Sequence, residues 1–118
     1  MFRKFLLAAA LALAANAASA ATCYVTEFKG SPPTYVAYQA ATQPAITTQA
    51  VTFTTTTQSA VFNAQTGLVR VQCDAICNVV FGTNPTATTT SMRLTAGQTE
   101  YFVVAAGTSL RLAVVAGS

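Results

Sequence analysis

Residues 68–115 read LVRVQCDAICNVVFGTNPTATTTSMRLTAGQTEYFVVAAGTSLRLAVV, and this stretch decides the fold class. β-branched and aromatic residues come in short runs that Gly, Pro and Asn interrupt, and no apolar stripe at helical spacing is long enough for a helix. The same pattern extends back to residue 21. The sequence therefore predicts an all-β domain with strands near residues 23–28, 45–54, 59–63, 68–72, 77–81, 91–95, 99–104 and 110–115. Short strands at about ten-residue spacing are typical of a β-sandwich or a jelly roll.

The turns between these strands contain residues that reverse the chain easily. Glycine supplies a positive φ that a β-branched residue would resist, and proline and asparagine favour turns. The predicted reversals fall at residues 65–67, 82–85, 96–98 and 106–108.

Residues 68–72 show the alternation of a half-buried strand. Leu68, Arg70 and Gln72 share one face, and Val69 and Val71 share the other. We expect the two valines to face the core and Arg70 to face solvent or a neighbouring subunit, which makes Arg70 a candidate interface residue.

The segment between the first two predicted strands, residues 30–45, differs from the rest because it contains three prolines. Proline removes a backbone donor, so this segment is not expected to form a central strand. It also contains Tyr35 and Tyr38, and amphipathic aromatic residues are common at interfaces. Two interpretations stay open: an exposed arm whose tyrosines contact a neighbour, or a surface loop with one tyrosine packed on its own domain.

Residues 1–20, MFRKFLLAAALALAANAASA, have the features of an export signal. Arg3 and Lys4 precede an apolar run over residues 5–15, and residues 18–20 form an Ala-x-Ala site of the type that signal peptidase accepts. The apolar run is too short to span a bilayer, which needs roughly 20 residues. We therefore expect a signal-like helix over residues 1–20, a single domain over residues 21–118, and no stable membrane insertion after the signal is removed.

Few charged residues remain beyond residue 20. A nucleic-acid partner is not expected, because scattered cations do not form a surface that follows phosphates. A surface with so little charge suits contacts with copies of the same chain or with a partner protein, although an exported domain with an uncharged, Thr-rich face fits equally well. The charged residues are Lys29, Arg70, Arg93 and Arg111 on the basic side and Glu27, Asp74 and Glu100 on the acidic side.

The sequence contains little that supports catalysis. There is no histidine, which removes the usual general base and most zinc sites. The spacing of Glu27, Asp74 and Glu100 gives no sign that two of these carboxylates converge. There is also no Gly-rich phosphate loop and no calcium-loop pattern. We expect no enzyme activity, no cofactor and no metal.

The three cysteines leave several pairings open. Cys73 and Cys77 flank a three-residue reversal, so they are candidates for a disulfide across a hairpin. Cys23 is an alternative partner if the first strand lies beside that hairpin. Three free, buried thiols are a further alternative. An export signal would permit a bridge.

From residue 68 onward the chain resembles a family of small tailed-phage virion proteins. The shared order is a strand ending in Asp, a strand ending in F-G-x-x-P-T-A, a short strand, A-G-x-x-E-Y-F and a final apolar strand, and residues 23–28 are similar to the family's opening strand. The resemblance implies a β-sandwich subunit of the virion, such as a capsid decoration protein that contacts the capsid lattice or its own copies. In this interpretation Glu100 and Phe102 share one face of their strand, and Tyr101 is presented on the other as a candidate interface residue.

The export signal and the resemblance favour different locations. Virion proteins of this kind are expected to assemble in the host cytosol, where a signal is not needed. The alternative function is an exported periplasmic or extracellular β-sandwich that binds a ligand or a cell surface.

Overall fold

The computed structural model describes residues 20–30 and 41–117. The expected signal helix lies almost wholly outside these residues. Within them the chain forms strands and no helix. The strands are β1 (Ala21–Lys29), β2 (Thr47–Phe53), β3 (Thr57–Gln58), β4 (Thr66–Cys73), β5 (Cys77–Gly82), β6 (Met92–Leu94), β7 (Thr99–Val103) and β8 (Arg111–Ala116).

The strands form two antiparallel four-stranded sheets. The first sheet has the order β2-β1-β4-β7 and the second has the order β3-β8-β5-β6. Side chains from both sheets meet in one hydrophobic core, which includes Val25 and Val71 from the first sheet and Val79, Leu94 and Leu112 from the second. The predicted all-β class is therefore confirmed.

The period-two alternation of residues 68–72 is confirmed in β4. Val69 and Val71 are fully buried, whereas Arg70 and Gln72 on the opposite face are partly exposed. Each buried valine contributes about 1.5 to 3 kcal/mol relative to an exposed one, so the alternation fixes which face of β4 meets the core.

Two of the predicted reversals depend on a glycine with positive φ. Gly97 has φ 75° and Gly107 has φ 76°, a conformation in which a Cβ atom would be strained. Gly67 has a different role, because a Cβ built on it would collide with the backbone of Gly30. The absence of a Cβ allows the end of β1 to approach the start of β4, where Lys29 pairs with Thr66. The reversal predicted at residues 65–67 is therefore shifted: the turn lies at residues 64–65, and residues 66 and 67 belong to β4.

The strand predicted over residues 59–63 is wrong. The short strand β3 precedes it, at Thr57–Gln58. Ser59 and Phe62 still donate backbone hydrogen bonds to the carbonyl groups of Leu112 and Leu110, but the Leu112 N–H is bound by the Ser59 hydroxyl. Because a side chain replaces the backbone acceptor at this point, the segment follows β8 without forming a regular ladder with it.

Candidate interaction surface

The outer face of the first sheet is the side that points away from the shared core. It carries three of the large hydrophobic side chains that remain exposed: Tyr24 at 42%, Tyr101 at 54% and Val103 at 87%. Tyr24 lies on β1, and the other two lie on the edge strand β7. Exposed aromatic side chains grouped on one face are typical of contact surfaces.

Arg70 and Tyr101, two of the predicted interface residues, are neighbours on this face. They are directly opposite each other in the pairing of β4 with β7. The Nη2 atom of Arg70 donates a hydrogen bond to Oε1 of Gln72, at 3.4 Å, which keeps the guanidinium group along the strand. Arg70 is the one charged side chain of the described strands on this face, so the surface is aromatic and polar with a single cation. Their role in an interface stays a prediction.

The other two predicted interface residues, Tyr35 and Tyr38, lie outside the described residues. The sequence interpretation also missed Tyr24, which lies on the same face and opposite Gln72. The alternation of Cys23 and Val25 with Tyr24 along β1 was the signal that could have identified it, because both neighbours are fully buried.

Of the cysteine pairings that the sequence left open, the Cys73–Cys77 disulfide is wrong, and the structure has the alternative in which Cys23 is the partner. Cys73 is bonded to Cys23, and Cys77 is a free, buried thiol. Cys23 and Cys73 are directly opposite in the pairing of β1 with β4. The adjacent N–H of Asp74 donates to the carbonyl of Thr22, so the cysteines occupy a non-hydrogen-bonded pair, where side chains of antiparallel strands are closest.

Burial raises the pKa of the Cys77 thiol above its ordinary value. A thiol of this kind reacts slowly, because the thiolate is the nucleophile. Cys77 lies at the first position of β5, within the core, and is therefore a core residue of the second sheet.

Glu27 is a buried carboxylate at the lower end of the first sheet, with 1% of its surface exposed. Its Oε1 atom accepts hydrogen bonds from the Asn63 backbone N–H at 2.7 Å and from the Thr66 hydroxyl at 2.8 Å. Its Oε2 atom accepts from the Gln49 amide at 2.9 Å. Three donors satisfy the buried oxygens, so the arrangement joins β1, β2, β4 and the segment before β4.

Gln49 extends this polar cluster toward the segment that follows β3. Its Oε1 atom accepts a hydrogen bond from the backbone N–H of Ala60 at 2.8 Å, and its Nε2 atom also contacts the Ala60 carbonyl at 3.3 Å. The side-chain amide of Gln49 thus satisfies the backbone N–H and C=O of Ala60, which a neighbouring strand would otherwise do. Because its oxygens accept hydrogen bonds from three groups of the same chain, we assign the Glu27 carboxylate a structural role.

The three carboxylates share no hydrogen-bond partner. Glu100 accepts from the Gln98 amide at 2.8 Å, and Asp74 lies in the turn between β4 and β5. No group of three potential metal-ligating side chains occurs within residues 20–30 and 41–117. Among the same residues, no helix is long and apolar enough to cross a membrane.

An open pocket of about 580 Å³ lies where β1 begins and β8 ends. Ala21, Phe53, Ile76 and Gly117 contribute to its wall, and Asp74 is the charged side chain of the lining that the structure describes. Ligand pockets of this size usually combine an apolar wall with several convergent polar groups. In this pocket the polar side chains among the described lining residues are those of Thr54 and Asp74, which is few for a ligand site. The candidate functional surface therefore remains the outer face of the first sheet.

Comparison of the chain with protein-family models, with curated proteins and with solved structures finds no match.

Proposed function

We propose that this protein is a structural subunit of a phage or prophage-derived virion, and that it decorates the capsid through protein–protein contacts. The observation that supports this function best is the outer face of the first sheet, where Tyr24, Tyr101 and Val103 are exposed around a single cation, Arg70. Such a face is suited to a protein surface, where aromatic side chains and arginine are enriched.

The distribution of charge supports the same proposal. No charged residue occurs in residues 30–69, which include the whole of β2 and β3. Net charge and dispersed surface charge normally keep small domains apart. A domain with this distribution can pack closely against a repeated protein lattice without like-charge repulsion.

We propose a jelly roll as the finer description of the fold. When the strands are taken from β2 to β8 and then β1, their assignment to the two sheets follows the order of an eight-stranded jelly roll. The first strand of this chain would then occupy the place of the last jelly-roll strand. Viral capsid proteins and lectins both use this architecture. The fold therefore fits a virion subunit and an exported binding module alike.

The alternative function is an exported periplasmic or extracellular binding or adhesion module. The observation that favours it is the Cys23–Cys73 disulfide, because structural disulfides persist mainly in oxidising compartments. The signal-like residues 1–20 agree with it. The expected location is then secreted or periplasmic, and not the virion.

Particle analysis tests the leading proposal. Phage particles from a strain that carries the gene would be purified through a density gradient, and their proteins quantified by mass spectrometry. The virion function predicts that this chain is present in a fixed ratio to the major capsid protein. Its absence from the particles, together with its recovery from the periplasm or medium, would reject the virion function in favour of the alternative.

Two substitutions test whether the outer face of the first sheet makes the contact. Tyr101→Glu is expected to abolish incorporation into particles, because it places a charge on the contact surface. Met92→Glu is the matched control, since Met92 is 47% exposed but lies on the second sheet. Equal loss with both variants, or normal incorporation of Tyr101→Glu, would rule out this face as the capsid contact.

A further inference from the structure

The four edges of the two sheets differ in how well they resist pairing with another strand. In the second sheet the edge strands β3 and β6 contain two and three residues, and β6 includes Arg93. Short edges and edge charges are common ways to prevent unwanted pairing. In the first sheet the edge strands are longer: β2 has seven residues and β7 has five, including Glu100.

β2 has no such protection in its own sequence. Its sequence, TTQAVTF, contains no charge, no proline and no glycine, and it is rich in residues that favour strands. The side chains of Thr48, Ala50 and Thr52 are exposed and small, so another strand can approach the edge without a steric barrier.

The hydrogen-bond register identifies the backbone groups that are free at this edge. The backbone N–H of Asp74 donates to the carbonyl of Thr22, which makes Thr22 and Asp74 a hydrogen-bonded pair. In β1 the backbone groups of even-numbered residues therefore bond to β4, and those of odd-numbered residues bond to β2. In β2 the odd-numbered residues therefore bond to β1. The N–H and C=O groups of Thr48, Ala50 and Thr52 point away from the sheet. Within residues 20–30 and 41–117, no other backbone or side-chain group forms a hydrogen bond with them.

We propose that the edge of β2 is the contact between two copies of this chain. The two β2 strands pair antiparallel around a two-fold axis at Ala50, so that Ala50 lies opposite its own copy and Thr48 lies opposite the partner's Thr52. The first sheet of one copy and the first sheet of the other then form one continuous eight-stranded sheet. This inference rests on the proposed function, because it names the contact through which neighbouring subunits meet.

The proposed register satisfies the edge completely. Each of the three residues with free backbone groups exchanges two hydrogen bonds with its opposite residue, and threonine pairs with threonine on the outer face. No like charges approach, since residues 30–69 are uncharged. A single antiparallel strand pair is self-complementary, which is what a two-fold contact between identical chains requires.

The contact is small. Seven residues at about 3.4 Å each give a length of about 24 Å, and a narrow contact of that length falls short of the roughly 1,200 Å² that a standard stable interface buries. We therefore expect a reversible dimer whose population rises with protein concentration.

Sedimentation velocity of the protein expressed from its full-length gene tests the inference. The wild type is expected to shift from monomer to dimer as its concentration rises to about 100 µM. Ala50→Lys is expected to weaken dimerisation at least about tenfold, because lysine on an edge strand opposes pairing. Met92→Lys places the same charge on β6, an edge strand of the second sheet, and is the matched control, which should dimerise as the wild type does. Tyr101→Lys places the charge on the edge of β7 and tests that edge as the alternative contact.

Ala50→Pro provides a second variant, which removes the N–H of an edge residue without removing a hydrogen bond inside the sheet. Far-UV circular dichroism and the thermal midpoint would verify that each variant is folded. A wild type that stays monomeric throughout overturns the inference. Dimers that survive both Ala50 substitutions but not Tyr101→Lys also overturn it, because they would assign the contact to β7.

Cross-linking tests the register. In a Cys77→Ser background, Ala50→Cys is expected to give a covalent dimer with a short thiol cross-linker, whereas Thr48→Cys alone is not. The reverse pattern would overturn the proposed two-fold axis. These results are independent of particle incorporation. A dimer through β2 in a protein absent from particles would reject the virion function alone, and incorporation without a β2 dimer would reject this inference alone.

Discussion

Replacing Glu27 with alanine tests whether the buried carboxylate stabilises the first sheet, where it joins β1 to β2 and β4. The substitution leaves the buried Thr66 hydroxyl without its acceptor, and it also removes the acceptor of the Asn63 N–H, a part-buried bond made by an exposed residue. An unsatisfied buried donor costs about 1 to 3 kcal/mol, and the Asn63 N–H adds less because water can reach it, so we expect a loss of about 3 kcal/mol. The Gln49 amide is half-buried and can bind water instead. Since small domains have total stabilities of about 5 to 15 kcal/mol, Glu27→Ala removes a large fraction of the stability.

Urea unfolding followed by far-UV circular dichroism measures this loss as a change in the midpoint at a constant slope. Glu100→Ala is the matched control, because Glu100 is also a glutamate of the first sheet but is partly exposed. Among the described residues its side chain is bonded to Gln98 alone, so we expect a loss below about 1 kcal/mol. Glu27→Gln keeps one acceptor oxygen but opposes the Gln49 amide with a second amide, and we expect an intermediate loss. If Glu27→Ala and Glu100→Ala destabilise the protein equally, the structural role assigned to Glu27 is wrong.

Three further predictions follow from the core and from the close approach of β1 to β4. Val71→Asp is expected to unfold the domain because it buries an unpaired charge, whereas Arg70→Ala should leave the thermal midpoint nearly unchanged; the opposite ranking would contradict the register of β4. Gly67→Ala is expected to cost about 3 kcal/mol in urea unfolding, since its Cβ meets the backbone of Gly30, and an unchanged midpoint would show that the strands separate easily there. Burial raises the pKa of the folded Cys77 thiol above 9.0, the ordinary value that the unfolded thiol keeps, so above pH 9.0 the unfolded thiol ionises while the folded thiol stays protonated. Cys77 therefore contributes stability that is complete below pH 9.0 and is lost as the pH rises above it. Urea midpoints that fall equally for the wild type and Cys77→Ala between about pH 8 and pH 10 would contradict this.

Local patterns predicted most of the strands, because the information lies in neighbouring residues. The alternation in residues 68–72 identified the two core valines, and Gly97 and Gly107 marked turns that need positive φ. The prediction of a strand over residues 59–63 was wrong because the alternation of apolar residues does not show where a side chain replaces a backbone hydrogen bond. The Ser59 hydroxyl binds the backbone of β8, a contact 53 residues away along the chain.

Long-range pairing limited the prediction of the candidate surface and of the disulfide. Cys73 and Cys77 are close in sequence, but the partner of Cys73 depends on which strand lies beside β4, and that strand is β1. The neighbouring positions of Arg70 and Tyr101 likewise depend on the pairing of β4 with β7. Tyr24 is different, since the alternation along β1 was already visible in the sequence.

The uncharged span over residues 30–69 limits where trypsin can cut this protein. Trypsin cleaves after lysine and arginine, and none occurs between Lys29 and Arg70, so digestion leaves β2 and β3 within one long peptide. The Cys23–Cys73 bridge encloses that span, and a cut at any point between the two cysteines leaves both fragments covalently joined. A nicked chain therefore keeps its first strand attached to β4, and the nick becomes visible as two fragments only after reduction.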